Sequence, residues 1–200
     1  MEYLEIEAIG QLLATYREDL TYISNFHKYK KGKISRSEFC KKDLGMFYKF
    51  LIDFRITRNF VKGNTPKLLD VTINWVSGKF PDDVDKFALE LNKKGLTRGN
   101  TATVLSSKVL MLNNPWVILP IDKWARIAVQ HKQNVYNGYL DKIDNFKREH
   151  NDSINQSIKS VAKHLGIIEN TFHNDLTNFE QLRKNRFTDK LLWTQGQQPE

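Results

Sequence analysis

The chain has 200 residues, and 40% of them are hydrophobic, so it can bury a core and most of it is not disordered. Its ten glycines and five prolines are too few for a turn-rich β-sandwich or barrel. Lys and Arg outnumber Asp and Glu by 31 to 23, and the net charge of +8 favours a polyanionic partner, most often nucleic acid.

The first elements in chain order are helical. Apolar residues recur at helical spacing and predict a helix over residues 3–25, followed by a basic loop at 27–33, HKYKKGK. Ser35 followed by Glu38 resembles a capping box and predicts a helix over 35–61.

The middle of the chain contains three predicted helices and one break. Thr65 as N-cap and Pro66 as first helical residue predict a helix that reaches residue 76. The acidic start at 81–83 opens the next helix. Two glycines interrupt the helical pattern at 92–99, NKKGLTRG, before a helix at about 101–112.

An apolar run at 116–121 has prolines at 115 and 120 and is too short for a helix, so we expect a buried extended connection there. Asp122 then stands at the N-cap position of another helix. Further helices are predicted at about 136–150, 153–165, 169–183 and 186–194. The expected fold is therefore an all-α, irregular multi-helix domain.

The expected organisation is a single helical domain over 1–200, with two lobes around a basic cleft. One lobe comprises about 1–80 with part of the C-terminus, and the other about 81–194. The lone Cys40 excludes an internal disulfide, and no Cys/His spacing suits zinc, so neither metal nor cofactor is expected. An acidic N-terminus and the lack of a long apolar run predict a cytoplasmic protein without membrane attachment. We also expect a monomer.

The most informative segment is 91–128, because a glycine-bearing connection there leads into a helix. Glycines let backbone N–H groups approach a phosphate closely, and the helix directs its positive end at the same place. Lys93, Lys94 and Arg98 add formal charge. These features predict an element that binds the phosphate backbone of one DNA strand without recognising its sequence.

The order of parts in this segment resembles the helix-hairpin-helix DNA glycosylase superfamily. In that family a hairpin of the form LPGVGxKxA is followed by a Pro-[Val/Ile]-Asp segment that opens a helix. Here GNTATVLSSK stands at the hairpin end and second helix, and Pro120-Ile121-Asp122 stands at the second motif. The resemblance implies that Asp122 stabilises the sugar cation as the glycosidic bond breaks, or activates a water.

Departures from the family pattern define the expected chemistry. Gly99 matches a hairpin glycine, whereas Thr101 stands where a second glycine is expected. Thr103 takes the place of the lysine nucleophile of bifunctional members, which implies a monofunctional enzyme that uses water. Lys108 is then either a displaced nucleophile or a phosphate contact.

The resemblance and the local charge together predict a DNA glycosylase that removes a damaged or modified base and leaves an abasic site. Which base is removed, and whether the role is repair or attack on phage DNA, stays open. The candidate catalytic residues are Asp122 and Lys108. The candidate DNA-binding residues are Lys93, Lys94, Arg98, Gly99, Thr101, Thr103, Ser107, Lys123, Trp124 and Arg126.

Each candidate also has a plain structural explanation. Asp122 can be simply an N-cap, a role that is compatible with catalysis, and Lys108 can lie on a solvated helix face. Tryptophans are more often core residues than base-stacking platforms, although Trp124 lies between Lys123 and Arg126.

Two other functions fit the sequence. Arg126 and His131 form an Arg-x4-His pair, the spacing of HEPN-type ribonucleases, in which the two side chains share a helix face and act on RNA. Ile127 departs from the polar residue that this family favours. The other alternative is a non-catalytic helical domain that binds nucleic acid.

Overall fold

The computed structural model describes residues 2–57, 60, 61, 63–98 and 102–198. Within these ranges the chain forms ten helices and no strand, which confirms the all-α expectation. No described helix combines the length and apolar character needed to cross a bilayer. The helices are α1 (Tyr3–Lys30), α2 (Arg36–Phe39), α3 (Met46–Asp53), α4 (Thr65–Val76), α5 (Val84–Lys93), α6 (Thr103–Met111), α7 (Lys123–Ala128), α8 (Tyr136–Glu149), α9 (Asn151–Glu169) and α10 (Phe179–Gln195).

Helix α1 is longer than predicted and includes half of the expected basic loop. It ends in a Schellman motif around Gly32, whose φ of +70° suits glycine. The Lys33 N–H donates to the Lys28 carbonyl at 2.9 Å, and the Gly32 N–H donates to the Tyr29 carbonyl at 2.9 Å. The prediction of a loop from residue 27 is therefore wrong as far as Lys30.

The single helix predicted over 35–61 is wrong, because the chain turns between α2 and α3. Ser35 does cap α2, accepting from the Glu38 N–H at 3.2 Å. A Cβ atom on Gly45 would lie 2.5 Å from the Lys41 nitrogen, so the turn requires glycine at this position. Asp43 adopts a left-handed φ of 63° in the same turn.

Helices α4 and α5 follow the prediction closely. Asn64 rather than Thr65 is the N-cap of α4, and Pro66 lies in its first turn as expected. Asp83 caps α5 by accepting from the Lys86 N–H at 3.0 Å. Helix α6 starts at Thr103, with Ala102 as its N-cap.

The C-terminal helices differ from the prediction at their ends. Helix α9 continues to Glu169, and a connection at 170–178 precedes α10. Asn178, with φ of 49°, caps α10 by accepting from the Gln181 N–H at 3.4 Å. The two separate helices predicted at 169–183 and 186–194 are therefore wrong, because a single helix spans most of that length.

The chain divides into two compact units. The first unit comprises residues 1–20 and 119–200, and the second comprises 21–118. In the first unit α10 packs against α7 and α9, and in the second α5 packs against α6. The predicted helix-hairpin-helix element and basic cleft stay predictions.

The first unit has charged groups in its core. Arg186 is 2% exposed and contacts the Asp19 carboxylate at 2.8 Å and the Asp189 carboxylate at 3.1 Å. Glu169, also buried, accepts from the Nε of Arg183 at 2.7 Å. Because a buried charge is tolerated only when it is paired, these contacts tie α1, α9 and α10 into one arrangement.

Candidate functional site

The segment that leads to Asp122 is held by two buried tyrosines of α8. The Tyr136 hydroxyl donates to the Leu119 carbonyl at 2.8 Å, and the Tyr139 hydroxyl donates to the Pro120 carbonyl at 3.2 Å. Ile118, Leu119 and Ile121 are buried, as predicted for the connection, whereas residues 115–117 form a turn in which Val117 is exposed, so the prediction is wrong for the start of the run. The backbone before Asp122 is therefore fixed from within the first unit.

The Asp122 carboxylate caps α7. Its Oδ1 accepts from the Ala125 N–H at 2.9 Å, and the side chain is half-buried. The N-cap prediction is therefore confirmed.

Burial, with the added negative charges of Asp189 and Asp122, raises the pKa of Tyr139. The Tyr139 phenol consequently stays protonated and can keep donating to Pro120.

The other candidates on α7 contact one another or the adjoining chain. The Lys123 ammonium lies 4.3 Å from the centre of the Trp124 ring. The Arg126 Nη1 donates to the Lys132 carbonyl at 3.4 Å. A Cβ on Gly196 would lie 2.0 Å from the Trp124 carbonyl oxygen, so the chain directly after α10 lies tightly against α7 at this point.

The expected helical pairing of Arg126 with His131 is wrong. Helix α7 ends at Ala128, and Gln130 has a left-handed φ of 52° that redirects the chain. His131 is buried, with its Nε2 2.9 Å from the Val135 carbonyl oxygen. The imidazole and the guanidinium therefore do not share a face of one helix, as a HEPN-type site requires.

The predicted phosphate-binding cations Lys93, Lys94 and Arg98 are exposed in the second unit, at the end of α5. Gly95, with φ of +68°, makes the turn that follows α5. Lys94 also lies 3.5 Å from the Glu90 carboxylate, an exposed pairing that leaves the ammonium accessible.

The predicted hairpin end is only partly described. Gly99 and Thr101 lie outside the described residues. On the near side of that gap, the Val61 N–H donates to the Leu96 carbonyl at 3.0 Å, and Thr97 forms an antiparallel bridge with Phe60.

Three candidates on α6 make contacts inside the second unit. Thr103 and Ser107 are fully buried, and the Ser107 hydroxyl donates to the Val104 carbonyl at 3.1 Å. The Lys108 ammonium donates to the Phe54 carbonyl at 3.0 Å and lies 5.7 Å from the centre of the Phe54 ring. In this structure, therefore, neither hydroxyl can reach a phosphate, and the Lys108 amine has internal contacts.

The two units differ sharply in charge. The second unit contains 18 Lys and Arg against 8 Asp and Glu, a formal +10, whereas the first contains 13 against 15, a formal −2. The whole positive surplus therefore belongs to the second unit. The predicted DNA-binding residues all lie in 91–128, and 27–33 was predicted only to be a basic loop. Residues 28–49 carry a denser positive charge, with 8 Lys and Arg against 2 Asp and Glu.

A cavity of about 290 Å³ lies in the first unit, between the end of α7 and α8. Its lining is mostly polar and includes Gln130, Asn145 and His150, and the Lys142 ammonium donates to the Gln130 carbonyl at 2.8 Å. Asp122 does not line this cavity. Within the described ranges, no group of three His, Cys, Asp or Glu side chains is placed to hold a metal ion.

Comparison of the chain with protein-family models, with curated proteins and with solved structures finds no significant match.

Proposed function

We propose that this protein binds DNA through its second unit and excises a base, with Asp122 as the carboxylate that assists cleavage of the glycosidic bond. The observation that carries the binding part of the proposal is the charge division, +10 against −2. A surplus of this size attracts a polyanion over a distance of several ångströms, and it does so without reading sequence.

Binding draws support from the exposed cations. Lys93, Lys94 and Arg98 surround the Gly95 turn and are accessible to a phosphate. Contacts of this kind release counterions from DNA, so affinity depends steeply on salt. They position the protein on the strand and leave base recognition to other side chains.

Excision draws support from the position of Asp122. It follows the Pro-Ile segment, caps α7 through one oxygen and is only half-buried, so its carboxylate is not sealed in the core. In the proposed reaction the bond between the sugar C1′ and the base nitrogen breaks, and its electron pair leaves with the base. The negative charge of Asp122 stabilises the cationic sugar until water adds to C1′. Water loses one proton and the leaving base nitrogen gains one, so the products are an abasic sugar and a neutral base.

This chemistry requires the target nucleotide to leave the base stack, at a cost of a few kcal/mol. The product is an abasic site in an intact strand. The ribonuclease alternative required Arg126 and His131 to share one face of a helix. His131 is instead buried beyond the end of α7, so this alternative is not supported. The non-catalytic alternative remains as a distinct outcome of the tests.

Titration of a fluorescent DNA duplex with the full chain, repeated over a range of salt concentrations, tests the binding step. We expect log K to fall linearly with log[salt], with a slope of about 0.9 for each phosphate contacted. A negatively charged polypeptide with the same net charge as the duplex serves as the comparison, and the protein should bind it more weakly than it binds the duplex. Lack of measurable DNA binding at low salt would refute the proposal.

A further inference from the structure

An aromatic cluster holds the end of α1, helix α2 and helix α3 together in one corner of the second unit. The rings of Tyr29 and Phe39 stack with their centres 4.9 Å apart and their planes at 19°. Phe39 also contacts Phe47 of α3, with ring centres 5.7 Å apart, and Phe26 of α1 at 6.3 Å. Side chains that follow these aromatics in sequence therefore project from neighbouring elements.

Five exposed lysines project from this corner, which we call the lysine corner: Lys31, Lys33, Lys41, Lys42 and Lys49. Within the described part of the chain, none of the five forms an ion pair with a carboxylate. Two neighbouring cations, in contrast, have partners within the protein. Arg36 forms a two-point contact with Asp70, and Lys30 donates to the Asn113 side chain at 2.6 Å.

Neutralising the end of α1 does not explain this arrangement. A helix C-terminus carries a partial negative charge that one or two cations in the last turn offset. Lys28 and Lys30 occupy that turn. Lys41 and Lys42 lie in the turn between α2 and α3, and Lys49 lies on α3, so a role at the end of α1 does not account for them.

We propose that the lysine corner is a second surface that binds the phosphate backbone of duplex nucleic acid, separate from the exposed cations at the end of α5. This inference rests on the proposed DNA binding. Lysine ammonium groups on flexible stems suit phosphates as point charges. Phe39 and Phe47 are buried, the half-buried Tyr29 ring is stacked on Phe39, and the Tyr48 hydroxyl is hydrogen-bonded to Asp43. Little aromatic surface is therefore left to stack on unpaired bases, and the corner fits a duplex better than a single strand.

An anionic membrane is the competing partner for a basic surface. Peripheral membrane binding combines cations with a broad apolar face. Here Leu44 is the exposed large apolar residue between Lys42 and Lys49, and Phe39 and Phe47 are buried. The corner therefore offers phosphate contacts but little apolar area to insert among lipids.

Three triple variants of equal charge change test the proposal. The corner variant combines Lys31→Gln, Lys42→Gln and Lys49→Gln. The α5 variant combines Lys93→Gln, Lys94→Gln and Arg98→Gln. The control variant changes three exposed lysines of the first unit, Lys132→Gln, Lys159→Gln and Lys163→Gln.

Duplex affinity is measured for each variant over a range of salt concentrations. We expect the corner variant to lower the slope of log K against log[salt] by about one for each lysine that contacts a phosphate, hence by about two to three. The control should leave the slope unchanged. A Lys→Arg version of the corner variant keeps the charge and should bind like the wild type, which separates lost contacts from misfolding.

Two results would overturn the inference. If the corner variant has the slope of the control while the α5 variant loses affinity, DNA binding stands and the lysine corner is not part of it. If the wild type binds no DNA but binds vesicles rich in phosphatidylserine, and the corner variant does not, the proposed DNA binding itself fails and the corner is a membrane surface.

Discussion

The Oδ1 atom of Asp122 lies 2.9 Å from the backbone nitrogen of Ala125 and closes the first turn of α7. The residue proposed for catalysis is thus also an N-cap, and the two roles can be separated by substitution. Asn is as good an N-cap as Asp but carries no charge.

Asp122→Ala should destabilise the first unit by about 1 kcal/mol, because it removes the acceptor of the Ala125 N–H. Asp122→Asn should leave stability nearly unchanged. Urea unfolding followed by circular dichroism measures both. Equal stability of the Ala variant and the wild type would show that the cap contributes nothing.

Gly196→Ala should be clearly destabilising, because the added Cβ would lie 2.0 Å from the Trp124 carbonyl oxygen and the backbone contact cannot relax without moving α7. Gly10→Ala is the matched control. Gly10 is exposed within α1 and has no atom within 4 Å of an added Cβ, so Ala should stabilise by up to about 1 kcal/mol. Thermal melting of the two variants should therefore shift in opposite directions.

Asp19→Ala should cost about 3 kcal/mol or more, because it removes a partner of the buried Arg186 guanidinium. Adding Arg186→Met to this variant should recover part of the loss, since the uncompensated charge is then gone. Asp70→Asn, which breaks the exposed contact with Arg36, should change the free energy of unfolding little. Additive losses for Asp19→Ala and Arg186→Met would contradict a direct interaction.

Stability should decrease as the pH falls below about 6.5, in part because of His27. Burial lowers the pKa of His27, and the nearby charges of Lys30 and Lys31 lower it further. Its Nε2 is also buried without a hydrogen-bond partner among the described residues. The unfolded chain therefore takes up a proton on His27 at a higher pH than the folded chain does. The stability that His27 contributes is fully present above its pKa in the unfolded chain, and it is lost as the pH falls toward its pKa in the folded chain.

His27→Gln should reduce this pH dependence, as measured by urea unfolding at about pH 7.5 and about pH 5.5. The exposed His164→Gln variant is the control and should keep the wild-type dependence. An unchanged dependence in His27→Gln would show that His27 is not the group responsible.

Local signals in the sequence predicted local structure well. Asp122 was identified as a cap and the acidic stretch 81–83 as a helix start, and both Asp122 and Asp83 accept an N–H from the first turn of their helices. The turn at Gly45 was missed because its cause is a close backbone approach to Lys41, which sequence periodicity does not contain. Asn178 was missed as the start of α10 for a similar reason, its left-handed φ.

The candidate site was only partly predictable. Thr103 and Ser107 are polar residues on a helix, and their burial depends on how α6 packs in the second unit. The end of α7 depends on the left-handed Gln130, which separates Arg126 from His131. The charge division can be counted from the sequence, but only after the unit boundaries at residues 20 and 118 are known.

Base excision that depends on Asp122 is the central claim, and an alkali-cleavage assay tests it most directly. Wild type, Asp122→Asn and His131→Ala are each incubated with end-labelled duplexes that contain plain or modified bases, and the products are resolved with and without alkali. We predict strand breaks only after alkali for the wild type and His131→Ala, and none for Asp122→Asn, which should still bind DNA. Alkali-dependent breaks made equally well by Asp122→Asn, or the absence of breaks on every duplex, would contradict the claim.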